Sequence, residues 1–139
     1  MFRGRVVPIG ARTLFPARKY RMTETVELLV CVTCKREGMD PAAPRPGRLL
    51  ADALTGAMPE GVVLRETECL SNCTRGCTVA LRGPGRWTYV YGNLAPEQAE
   101  TVTDGAAKFR AAADGLVPWR ERSEHFRKNC IARIPPLEA

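Results

Sequence analysis

A chain of 139 residues is long enough for one domain with an apolar core and too short for two. Of its 21 basic residues, Arg3, Arg5, Arg12, Arg18, Lys19 and Arg21 stand in the first 21 positions with no acidic residue among them, so the remainder balances the 15 acidic side chains and the net charge of +6 belongs to the tail. Nucleic-acid binding would need a basic stripe on an element of the fold, and the sequence offers none; no apolar run approaches bilayer-spanning length.

The tail lacks the amphipathic spacing of a membrane-surface helix and is not followed by the apolar stretch of a signal peptide. Residues 1–21 are expected to be a disordered or mis-annotated extension, with Met22 serving as a start and 22–139 forming one cysteine-rich domain; an arginine-rich arm is the alternative. A reducing, cytoplasmic setting is expected.

Val26–Cys31 is short and rich in branched apolar residues, and reads as a buried strand ending at a thiol. Cys31-Val-Thr-Cys34 is followed by Lys35, Arg36 and a proline-rich loop from Pro41 to Pro46. Gly47–Met58 places Leu50, Leu54, Ala57 and Met58 on one side of a helix closed by Pro59 and Gly61. Val62–Glu68 is a second strand that delivers Cys69. Cys73 and Cys77 follow at intervals of four, which puts all three thiols on one side if the stretch is helical; Asn72, Thr74 and Gly76 equally suit a tight loop. Thr78–Arg82 and Trp87–Tyr91 flank the Gly83-Pro-Gly85 turn as a hairpin. Pro96-Glu97 opens a helix whose buried side is Ala99, Val102, Ala106, Phe109 and Ala113, and Gly115 ends it. The remainder, with Trp119, His125 and Cys130, has little periodicity and is expected to wrap the body.

The order of elements predicts an α/β fold with a thioredoxin-like core: a mixed four-stranded sheet, two main helices and a C-terminal wrapping segment. Its first two strands would be parallel neighbours, bringing the two cysteine loops together at their C-terminal ends.

Five thiols in two close-set groups in a reducing setting point to a metal or iron–sulfur centre before disulfides. Cys31 and Cys34 can supply one ligand pair and Cys69 and Cys73 the other, with inert core thiols as the alternative. Cys77 is a fifth candidate metal ligand or a buried thiol. C-x-x-C alone also fits zinc or a thioredoxin-type dithiol. Cys130 reads as a small hydrophobe or an exposed spare thiol rather than a ligand, and His125 as a surface or packing residue rather than a ligand. Trp87, Tyr89 and Tyr91 alternate along one sheet face.

The stretch Glu68-Cys-Leu-Ser-Asn-Cys-Thr-Arg-Gly-Cys77 with the strand after it resembles the second cysteine loop of thioredoxin-like 2Fe-2S ferredoxins. The chain from Val26 to Leu137 resembles the DUF1636 family of predicted metal-binding proteins, through Cys31-Val-Thr-Cys34-Lys35, Gly85–Leu94 and Gly115–Arg122. The resemblance implies an electron carrier with a 2Fe-2S cluster on Cys31, Cys34, Cys69 and Cys73, a link to cobalamin biosynthesis and a redox partner protein. A zinc or cobalt site, with Cys77 included, is the alternative. In the ferredoxins the second ligand stands farther from the first than Cys34 does from Cys31, and Cys77 has no counterpart there. No motif of an enzyme active site is present, so the chain is expected to be no enzyme, to bind neither nucleic acid nor membrane, and to exist as a monomer or a homodimer.

Overall fold

The computed structural model describes residues 25–33, 42–72 and 75–137. The basic extension, Cys34 and Cys73 therefore lie outside the described residues.

Five strands form one sheet in the spatial order β2-β1-β3-β4-β5: β1 is Val26–Cys31, β2 Val62–Thr67, β3 Val79–Arg82, β4 Thr88–Tyr91 and β5 Cys130–Ile134. β1 and β2 run parallel, joined through helix α1, Pro46–Leu54. The other neighbouring pairs are antiparallel. Helix α2, Ala99–Ala111, follows a 3-10 turn over Pro96–Gln98, and the short α3 is Glu124–Lys128. The α/β fold with a mixed sheet stands as expected, and the sheet is wider by one strand because the end of the wrapping segment pairs with β4.

Alternation builds the core. Val26, Leu28 and Val30 are fully buried, while Glu27 and Leu29 between them are half-buried on the opposite face. Val79, Leu81, Tyr89 and Tyr91 continue the buried row across β3 and β4. Onto it pack Leu50, Ala51 and Leu54 of α1, Val102, Ala106 and Phe109 of α2, and Phe126 of α3. Pro46 sits in the first turn of α1, where its missing N–H leaves no helical bond unmade. Gly105 lets α2 approach α3: a Cβ there would come 2.1 Å from the Phe126 ring.

Arg86 is a buried cation in this core. Its guanidinium donates to the carbonyls of Arg110 (2.8 Å) and Ala112 (3.1 Å) at the C-terminal end of α2, where the helix dipole favours positive charge. On the outer face Glu27 accepts from Arg82 at 2.7 Å and from Arg65, stitching β1 to both its neighbours. These two bonds, that from Arg82 first, hold the Glu27 carboxyl below the usual glutamate range.

Candidate functional site

The parallel pairing of β1 with β2 aligns Cys31 with Thr67, so the two cysteine loops leave the sheet side by side. Polar bonds fasten them to each other. Thr33 Oγ1 donates to the carbonyl of Glu68, the Cys31 thiol lies 3.8 Å from the same oxygen, and Val32 N donates to Thr67 O at 2.9 Å. Arg45, at the entrance of α1, donates to the Thr33 carbonyl at 2.8 Å. A further tie comes from the residue just before β3: Cys31 N donates to Thr78 O at 3.1 Å. The juxtaposition expected from the strand order is thus present.

The thiols themselves have unlike surroundings. By strand alternation Cys31 belongs to the outer face, yet it is only 2% exposed, because the second cysteine loop folds over the end of β1. Cys69 is exposed, and its Sγ accepts the Ser71 N–H at 3.2 Å across a turn that puts Ser71 at φ 56°. Cys77 is fully buried in the hydrophobic core, its backbone locked to Leu94 by reciprocal hydrogen bonds of 3.0 and 3.1 Å. Cys69 and Cys77 therefore do not share the face of one helix. Cys130 opens β5 with its thiol 3.6 Å from Ala132 O, and burial of the sulfur pushes that thiol up, against the opposing pull of Arg122.

This arrangement corrects the cofactor expectation. Among the described residues no three His, Cys, Asp or Glu side chains gather where they could hold a metal ion, and no cysteines form a close pair. Of the four described thiols, Cys31 and Cys77 are buried in apolar packing and Cys69 and Cys130 are exposed, which fits neither a 2Fe-2S cluster nor a zinc site. The shared sequence neighbourhood of Cys69 and Cys77 conceals this, because the start of β3 and the Leu94 bridge draw Cys77 inward.

Residues far along the chain hold the second cysteine loop. Asn72 Nδ2 reaches Thr78 Oγ1 at 3.1 Å, Arg75 N donates to Asn72 O at 3.0 Å, and Asn93 N donates to Arg75 O at 2.6 Å. Asn93 Nδ2 in turn donates to Asn129 Oδ1 at 2.7 Å. Gly92 sits where all these segments meet, and a Cβ on it would come within 2.7 Å of both Arg75 O and Asn72 Nδ2. Its N–H donates to Asn129 O and its carbonyl accepts from His125 Nε2 at 2.9 Å. That bond makes Nε2 the protonated ring nitrogen, leaving Nδ1 to accept from Gln98 Nε2 at 3.1 Å while Gln98 Oε1 accepts from Ala95 N. Of the two roles expected for His125, surface or packing, these bonds give it the second: it bridges Gln98 and Gly92. The role of Gly92 and Asn93 has one local signal, a Gly-Asn pair just beyond a strand.

Comparison with known proteins agrees with the geometry of the sheet. The sequence profile of DUF1636, described as a protein of unknown function, matches residues 28–136. The chain belongs to the DUF1636 family. No curated protein matches it. Among solved structures it is similar to a thioredoxin-like [2Fe-2S] ferredoxin from Aquifex aeolicus, at 22% identity and a TM-score of 0.53 over 82% of this chain and 97% of the ferredoxin. A second structure, of the wild-type ferredoxin at 1.5 Å, matches at 18% identity and a TM-score of 0.48 over 78% of this chain and 98% of that one. The first likeness establishes the fold of this DUF1636 member.

Proposed function

We propose that this chain is a small, non-enzymatic carrier of reducing equivalents. It meets a partner protein at the end of the sheet where the cysteine loops lie together, with Cys31, Cys34, Cys69, Cys73 and Cys77 as its thiol set. The observation that supports this most is the fastening of the Cys31 loop to the Cys69 loop through Thr33 and Glu68, which presents two thiol-bearing segments at one place. The fold shared with a ferredoxin is the second support. Neither the family description nor that likeness bears on cobalamin.

The group that changes oxidation state in this reading is a cysteine pair. Among the described thiols of the set Cys69 is the exposed one, its sulfur accepting the Ser71 N–H at 3.2 Å, and it is the one placed to attack. Its thiolate attacks one sulfur of a partner disulfide and the other partner sulfur leaves as a thiolate. A second cysteine of the set, Cys73 in the same loop, then attacks the Cys69 sulfur and releases the partner's second thiolate. The partner gains two electrons, and this chain gains one disulfide.

Equilibration with glutathione buffers of graded potential, followed by acid quenching and intact mass measurement, tests this. One reversible disulfide per chain is expected, lost in Cys69→Ser and retained in Cys130→Ser. Thiols that stay reduced, or form only mixed disulfides with glutathione across the whole range, would overturn it.

A further inference from the structure

Both tryptophans of the chain lie under guanidinium groups. Arg133 Cζ stands 4.8 Å from the centre of the Trp87 ring, and Arg122 and Arg127 stand 5.7 and 6.0 Å from that of Trp119, all within cation–π range. Arg122 also lies 5.5 Å over Tyr89. Tyr89 stacks on Tyr91, and Tyr91 on Phe126 at 3.9 Å, so the array is rooted in the core. Its outer end is open: Trp119 is 59% exposed, its chain neighbour Arg120 and the overlying Arg127 are exposed, and Arg133 is exposed over Trp87. Between Trp119 and Arg133 the chain carries Arg120, Arg122, Arg127, Lys128 and Arg133 against only Glu121 and Glu124, and Glu124 is engaged by Lys128 at 2.7 Å. The described fold is therefore not evenly charged, although its total is close to neutral.

We infer that this guanidinium–aromatic surface docks an acidic protein partner through its carboxylates. Planar guanidinium groups match carboxylates in paired hydrogen bonds, and tryptophan and arginine are the side chains that carry most binding energy at protein interfaces. Their mutual stacking and the Tyr89–Tyr91–Phe126 root hold the surface ordered before binding, which lowers the entropy lost on docking. A nucleic acid fits less well, because Trp119 is already engaged by two guanidiniums where base stacking needs a bare ring. The inference does not rest on the thiol reading, since none of its residues is a cysteine.

The test is a titration of the reduced full-length chain with a short peptide of alternating Glu and Gly, followed by tryptophan fluorescence at rising salt. Saturable binding that weakens with salt is expected. R120E/R127E should raise Kd about tenfold or more, W119A should remove most of the fluorescence change, and R3E/R5E in the basic extension should alter Kd less than about twofold. If R120E/R127E does not fold, Arg120→Gln with Arg127→Gln removes the same charges. The inference is overturned by absence of saturable binding, by equal losses from the extension, or by tighter binding to duplex DNA or phosphatidylserine vesicles.

Discussion

The helix-covered face of the sheet and its cysteine end are held by different forces. The covered face is a continuous apolar layer from Val26 through Leu81 to Phe109, in which each side chain loses water on several sides. The cysteine end is held by single polar bonds: Thr33 to Glu68, Arg45 to Thr33, Asn72 to Thr78, Asn93 to Arg75. Burial of apolar area contributes more per residue than a hydrogen bond exchanged with water. Substitutions at the cysteine end should therefore move the loops at little cost in global stability, and substitutions in the covered face should do the reverse.

The largest expected effect is in the covered face. Leu28→Ala removes a fully buried side chain from the middle of β1 and should lower the unfolding free energy by about 3 kcal/mol in urea denaturation, by the usual cost of such cavities. Next is Gly92→Ala, where the new Cβ meets the carbonyl of Arg75, a backbone atom that yields only if the loop shifts. A loss of about 1–3 kcal/mol is expected from such overpacking, with faster alkylation of Cys77 than the loss of stability alone allows. An unchanged Cys77 alkylation rate would show that Gly92 does not position the loop.

How far this division could be read from the chain follows from the range of each interaction. Alternation in Val26–Val30 and helical spacing in α2 are local patterns, and the parallel adjacency of β1 and β2 follows from them. β5 escaped because Cys130–Ile134 presents no buried face, so its only mark is pairing with β4. The unlike fates of Cys69 and Cys77 depend on Leu94, and the Gly92 junction depends on His125 and Asn129, more than thirty positions away from it. Spacing shows which thiols are near in sequence; it does not show which side of the sheet each one faces.

Smaller effects sharpen the comparison at its edges. Asn72→Ala deletes the bond to the buried Thr78 hydroxyl and should cost about 1 kcal/mol, the usual worth of one hydrogen bond. It should raise amide exchange in the loop around Arg75 while leaving that in β1 and β3 unchanged.

The smallest effect is at Glu27, whose arginine partners are more than half exposed; Glu27→Gln should cost less than about 1 kcal/mol at neutral pH. Because its folded-state carboxyl titrates lower than in the unfolded chain, Glu27 contributes its full stabilisation above the ordinary glutamate value of 4.5. That stabilisation is lost as pH falls from there through the lower folded value. The gap between the natural chain and Glu27→Gln should therefore close in acid, and a gap that widens would contradict the assignment.

The most direct test of the central claim, that the cysteine end works through its thiols, is an elemental and optical analysis of the chain purified without oxygen, followed by oxidation in a glutathione buffer. The account predicts a colourless protein without stoichiometric iron, sulfide or zinc, which then forms one reversible disulfide within the set Cys31, Cys34, Cys69, Cys73 and Cys77. A coloured protein carrying about two irons and two sulfides per chain, the content of a 2Fe-2S cluster, with thiols that take no part in the oxidation, would contradict it.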